Sequence, residues 1–295
     1  MHKQTQAYLL TLLAVLFWST AASAFKLALR TTSPQMVLCY TTALSTLVLF
    51  LILVLRGKLR AIGNMSIAAI ARCVLLGVLN PFLYYLVLFK AYALLPGQIA
   101  MALNYGWPLV LTVLSVPLLG QSLSSKQIIA ILISFFGAVM IATQGQMIHF
   151  GQLNVQGVSL AVISTLIWAL FWLLNAKDGQ DPIMKLFISF CSGLLCILVY
   201  CSLSAAFILP DRHAWIPLVY IALFEMSLTF ILWLTALQRT TSTAKIGNLM
   251  YLTPFLSLLC LHLVVRETIH QATFWGLSLI IGSIVYQAKP GKRAK

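Results

Sequence analysis

The sequence predicts an all-α integral membrane protein, with ten transmembrane helices arranged as two inverted five-helix repeats. Three observations lead there. The chain is 61% hydrophobic and 8% charged, where a soluble domain is about 45–50% apolar and roughly 25% charged. One soluble core of 295 residues cannot absorb that much apolar surface, whereas a bilayer can. Apolar runs of about 20 residues, the length that spans a bilayer, follow one another almost end to end. Polar and aromatic features of the first half also recur in the second at a nearly constant spacing.

The first run covers about 7–29 and carries Trp18 and Lys26. Lys3, the apolar run and Ala22-Ser23-Ala24 have the form of a cleaved signal peptide, but the run is longer than a signal core and more spans follow it. It reads as a retained first helix. The second and third spans cover about 34–55 and 67–90, the third with Asn80, Pro81, Tyr84 and Tyr85. The fourth, about 97–119, contains Asn104-Tyr105-Gly106-Trp107-Pro108 and Pro117, and the fifth covers about 126–144. The sixth, about 156–176, holds Trp168 and Trp172, and the seventh covers about 185–207. Glu225 and Thr229 lie in the eighth, about 215–237. The ninth, about 243–264, contains Met250-Tyr251-Leu252-Thr253-Pro254, and the tenth covers about 273–289. The short connections leave no room for a soluble domain.

The net charge of +14 raises the question of nucleic acid. The bases sit at the ends of apolar runs, as topology signals do, and no basic patch with interleaved aromatics is present. With both termini cytoplasmic, fourteen of the 19 Lys and Arg residues fall inside, and Lys26, Arg30, Lys90, Arg212 and Arg266 fall outside. The connection from Gly145 to Gln156 carries no Lys or Arg, as an external loop should. The expected location is therefore the cell inner (plasma) membrane, multi-pass, with both termini cytoplasmic.

Tyr105 and Pro108 in the fourth span match Tyr251 and Pro254 in the ninth, 146 residues on, and Trp18 matches Trp168, 150 residues on. The halves 1–150 and 151–295 thus read as two copies. Five helices is an odd number, so the copies lie in opposite orientations. Inverted repeats place substrate near the membrane midplane between them.

Of the five acids, only Glu225 is mid-span, where a bare charge must be protonated, paired or wet. Two readings stand: a cavity carboxylate that titrates or grips a cationic group, and a protonated or Lys-paired glutamate that fixes packing. Lys26 could reach toward it. The repeat places Asn80 opposite Glu225, and Asn80 and Tyr84 share a helical face at i, i+4. Tyr105, Trp107 and Tyr251 sit deep and beside helix-bending prolines, and with Asn104 on the face of Trp107, and Tyr84 beside Asn80, they are candidates to line a cavity for an aromatic or amphipathic solute. Core packing is the competing explanation, and for Trp215 and Trp275 an interfacial belt. Pro108 and Pro254 are candidate flexing points, against a static kink. The six cysteines show no C-x-x-C spacing, and no metal or other cofactor is implied.

Ten helices in two inverted halves, Phe17-Trp18-Ser19-Thr20 in the first helix and the two Y-x-x-P helices resemble the drug/metabolite transporter superfamily, EamA-type. Asn104-Tyr105-Gly106-Trp107-Pro108 and Ile167-Trp168-Ala169 are most similar to stretches of bacterial aromatic-amino-acid exporters. The resemblance implies a central cavity and export or exchange of small metabolites, with Trp18, Asn104, Tyr105, Trp107, Trp168 and Tyr251 in the cavity. The family's acid after the fourth helix is Gln121 here, and Glu267 keeps it in the second half.

The expected function is a secondary transporter exporting amino acids or related amphipathic solutes, with a proton or counter-substrate as coupling partner. The alternative is an exchanger or importer of anionic, nucleotide-like metabolites along Lys26, Arg72, Lys90 and Lys245. A membrane enzyme would want clustered acids or histidines for metal or phosphate chemistry. Here both are scattered.

Overall fold

The computed structural model describes residues 3–95, 97–146, 154–177, 179–204, 207–265 and 270–288. Among these the regular structure is helical, with no strand. Among the described residues eight helices are long and apolar enough to cross a membrane: α1 (Lys3–Ala28), α2 (Pro34–Leu55), α3 (Ile67–Leu94), α4 (Ile99–Leu119), α5 (Ser125–Ala142), α6 (Val155–Ala176), α7 (Pro182–Leu203) and α8 (Arg212–Arg239). Next come α9, made of Thr243–Met250 and Leu252–Val265 with a break at Tyr251, and α10 (Gln271–Ala288).

Local sequence explains several of the ends. Pro34 opens α2, where its missing N–H would have had no partner in any case. Ser66 caps α3 by accepting from Ala69 N, and Ser124 with Gln127 forms a full capping box at α5. Asn154 accepts from Gly157 N at α6. Gly120, with φ 66°, ends α4 in the left-handed region.

Among the described residues four helices are interrupted internally, and the interruptions match between halves. A π turn covers Val78–Leu83 of α3, with Asn80 in an extended conformation before Pro81, and another covers Ile221–Leu228 of α8. The helix of α4 breaks at Tyr105 and Gly106, and that of α9 at Tyr251. Pro108 therefore stands in the first turn of a new helical segment rather than bending a continuous helix.

The packing partners match as well. α1 lies against α8 and α9, as α6 lies against α3 and α4; α2 meets α7 and α8, as α7 meets α2 and α3; α4 faces α9 and α5 faces α10. Exchanging each helix for the one five places along reproduces this set. Serines tie the interrupted helices to their neighbours in the same way. Ser45 of α2 donates to the Ala222 carbonyl of α8 at 3.2 Å, and Ser192 of α7 donates to the Val74 carbonyl of α3 at 2.9 Å.

Small residues permit these close approaches. A Cβ on Gly77 would lie 2.0 Å from the Ser189 carbonyl oxygen, a backbone atom that cannot swing away. Gly77→Val is expected to push α3 off α7 and cost at least the ~1–3 kcal/mol typical of overpacking. Thermal unfolding of the purified protein checks this, and an unchanged midpoint would contradict the packing described here. Large apolar side chains are exposed along the outer faces, among them Leu16, Phe136, Leu195 and Leu263. Such a surface suits a hydrocarbon solvent.

Candidate functional site

The helix interruptions cluster around one internal space. A cavity of about 300 Å³ lies among α1, α3, α4, α6, α8 and α9. Half of its lining comes from residues at or beside the interruptions. Tyr84 and Tyr85 follow the π turn of α3, and Asn104, Tyr105 and Trp107 straddle the break in α4. Glu225 sits inside the π turn of α8, and Met250 and Thr253 flank Tyr251. Irregular backbone at membrane depth is tolerated where it is enclosed by protein or lines a wet cavity, and π turns recur at functional sites.

The walls are aromatic. The Tyr84 ring lies 4.4 Å from the Trp168 ring and 4.9 Å from the Tyr85 ring. Trp18 forms one end of the cavity, with Trp107, Trp168, Trp172, Phe230 and Trp233 packed round it at 6.1–6.3 Å. Trp172 and Trp233 are fully buried, so this cluster is a plug rather than a passage. Polar groups in the lining are few. Tyr85 Oη donates to Glu225 Oε1 at 3.0 Å, and Glu225 Oε2 has no hydrogen-bond partner among the described residues. Asn104 donates to Ser164 Oγ at 3.1 Å.

On the other side of the cavity a vestibule of about 700 Å³ shares Phe25, Tyr85, Leu88 and Tyr92 with it and carries Lys26 and Arg30. The vestibule thus adjoins the cavity on the side of the end of the molecule that bears the C-terminus of α1. At the opposite end, polar contacts lace the connections together beyond the tryptophan plug. Lys58 pairs with Asp181, Gln127 donates to Ser242 Oγ at 2.8 Å, and Thr243 N donates to Gln121 Oε1 at 2.8 Å. Arg239 donates to Gln6, also at 2.8 Å. Burial works to raise the pKa of Asp181, but the Lys58 ammonium and the backbone N–H groups of Met184 and Ile183 outweigh it and hold the carboxyl below its ordinary value. The folded value is depressed, so the pair's contribution is complete above the ordinary carboxylate pKa of ~4 and fades only as pH falls below it.

Trp18, Tyr84, Asn104, Tyr105, Trp107, Trp168 and Glu225, singled out in the sequence, thus line one cavity. Others lie elsewhere. Asn80 is fully buried and does not line it, because its extended backbone breaks the helix and puts it out of register with Tyr84. Tyr251 is fully buried too, with its ring 6.4 Å from Phe135 in a cluster of α5 and α10 side chains. Lys26 lines the vestibule, and Lys245 lines a separate pocket with Tyr8, Leu12 and Gln287. Trp275 is 68% exposed, as an interfacial residue would be. Asp178 and Glu267 lie outside the described residues. Sequence reasoning missed Tyr85 as the partner of Glu225, and missed Phe25 and Tyr92. Phe25 stands seven residues after Trp18 on the uninterrupted α1, so helical spacing could have found it; for Tyr85 and Tyr92 the α3 interruption resets the face relative to Asn80.

This arrangement meets a family defined by sequence. The model of the EamA-like transporter family matches residues 5–143 and again residues 155–287. The chain belongs to that family and is a multi-pass membrane protein. It is 24% identical to the uncharacterized transporter YvbV of Bacillus subtilis, across 95% of this chain and 91% of the relative. It is also 24% identical to the aromatic amino acid exporter YddG of Ancylobacter novellus, across 88% of each, and 25% identical to protein PecM of Dickeya dadantii, across 72% of each. A crystal structure 21% identical in sequence superposes with a TM-score of 0.83, covering 96% of this chain and 97% of the other, which shows the fold.

Proposed function

We propose that the protein is a secondary transporter that exports small metabolites, amino acids (aromatic or other neutral) or related amphipathic solutes, by alternating access. The observation that carries this reading is an aromatic cavity, lined from both halves, that adjoins a vestibule toward one end of the molecule and is backed by a buried tryptophan cluster toward the other. All ten helices span the inner membrane in this reading. They form two inverted five-helix repeats, 1–150 and 151–295, with both termini cytoplasmic. The exchange symmetry of the packing partners and the matched interruptions support the repeat. The open end is then periplasmic or external, and the closed end cytoplasmic. Substrate binds at the midplane among Trp18, Tyr84, Asn104, Tyr105, Trp107 and Trp168. Rocking of the halves opens the Lys58–Asp181 end, with Pro108 and Pro254 at the flexing points. Lys26 acts at the mouth. Asn80, in the interruption of α3, and Tyr251, at the break of α9, support the lining from behind. The relationship to an aromatic amino acid exporter agrees with such a substrate.

Glu225 is the coupling group in this reading, because it is the carboxylate in the lining and binds a proton or a cation in turn. Glu225→Gln is expected to flatten the pH dependence of transport between pH 5 and 8. Asp181 stays ionised over that range and does not contribute. Uptake rates of the variant and the parent in proteoliposomes across that range test this, and a variant that keeps the parent's profile would remove Glu225 from coupling.

A further inference from the structure

We infer that the cavity selects solutes that carry a protonated amine with no carboxylate beside it, that is, aromatic or apolar amines rather than free amino acids. Of the solutes proposed above it keeps the related amphipathic ones and sets the free amino acids second, and it rests on the cavity being the transport site.

The charge inventory of the lining points this way. Among the described residues it contains one carboxylate, Glu225, and no Lys, Arg or His. That carboxylate is 6% exposed, with Oε1 held by Tyr85 and Oε2 without a hydrogen-bond partner. The other titratable groups in the lining are the phenols of Tyr84, Tyr92 and Tyr105. A carboxylate so enclosed needs a counter-charge and a further donor to be stable in its ionised form. An ammonium supplies both, an N–H for Oε2 and the opposite charge. Tyr84, Trp168 and Trp18 line the same space, and aromatic rings favour a cation held against their π systems.

A free α-amino acid fits worse, for a geometric reason. Its carboxylate is separated from its ammonium by a single carbon. With the ammonium at Glu225, that carboxylate must stand only a few ångströms from Glu225, as a like charge in a space whose described lining has no base. The cations Lys26 and Arg30 line the vestibule instead. A negative solute with no amine meets the same repulsion and gains nothing in return.

Four ligands built on one phenyl ring separate these cases: phenethylamine, phenylalaninol, phenylalanine and phenylacetate. Binding to the purified full chain in lipid nanodiscs, measured by titration calorimetry at pH 7, is expected to rank both amines at least ~10-fold tighter than phenylalanine. Phenylacetate is expected not to bind. Glu225→Gln is expected to erase the preference. The comparison on the unsubstituted protein decides the matter even if that variant fails to fold. Phenylalanine binding as tightly as phenylalaninol would overturn the inference; if Trp168→Ala then abolished that binding, the cavity would still stand as the site. Failure of all four to bind would overturn both.

Discussion

Trp168→Ala is expected to abolish measurable substrate uptake. Trp168 touches the cavity on one side and the aromatic plug on the other. Its ring lies 4.4 Å from Tyr84, 5.5 Å from Trp172, 5.7 Å from Phe230 and 6.1 Å from Trp18. Truncation removes a face of the binding space and leaves a void beneath Trp18, which then has room to tilt out of the floor. Removing a buried indole costs roughly 3–5 kcal/mol of stability, so loss of uptake must be separated from loss of fold. Trp168→Phe makes that separation, since it keeps a ring against Tyr84 and Trp172 and fills most of the volume. Its uptake is expected to fall by about tenfold, the worth of one good ring contact, with the unfolding midpoint near that of the parent. Uptake and thermal unfolding measured side by side check both variants. A folded alanine variant transporting at the parental rate would remove Trp168 from the site.

A reversible cross-link at the closed end is expected to have an effect of the same size. Lys58 and Asp181 join the connection after α2 to the connection before α7. Side chains this exposed, 41% and 22%, form a pair that adds little stability on its own. It can therefore open and close during transport. Lys58→Cys with Asp181→Cys, in a background without the six native cysteines, can be bridged by a reducible bifunctional thiol reagent. Bridging is expected to stop transport, and reductant is expected to restore it. The bridged protein should still bind substrate from the open end. Full transport by the bridged form would show that this end does not move.

Much of the architecture was legible in the sequence. The apolar runs predicted helix positions to within a few residues at most ends, because a bilayer imposes one length on each span and the connections carry explicit capping residues such as Ser66 and Ser124. The spacing of Tyr105 and Pro108 against Tyr251 and Pro254 anticipated matched interruptions in α4 and α9. Part of the cavity was legible too, since aromatic and amide side chains next to helix breakers in a membrane have few other uses. The remainder failed where the helix itself fails. Placing Asn80 beside Tyr84 assumed an unbroken helix, and the extended Asn80 removes that register. Tyr251 matches Tyr105 in sequence, yet its ring turns into the α5–α10 contact. The hydrogen bond from Tyr85 to Glu225 joins residues 140 positions apart on helices with different interruptions, and no local pattern encodes it.

The central claim is that solutes cross through the aromatic cavity. The most direct test is uptake by proteoliposomes of purified protein offered a mixed pool of labelled amino acids, aromatic amines and nucleotides, with and without a pH gradient. The account predicts accumulation of neutral amino acids or aromatic amines that depends on the gradient and disappears with Trp168→Ala. Accumulation of nucleotide-like anions, or uptake indifferent to Trp168, would contradict it.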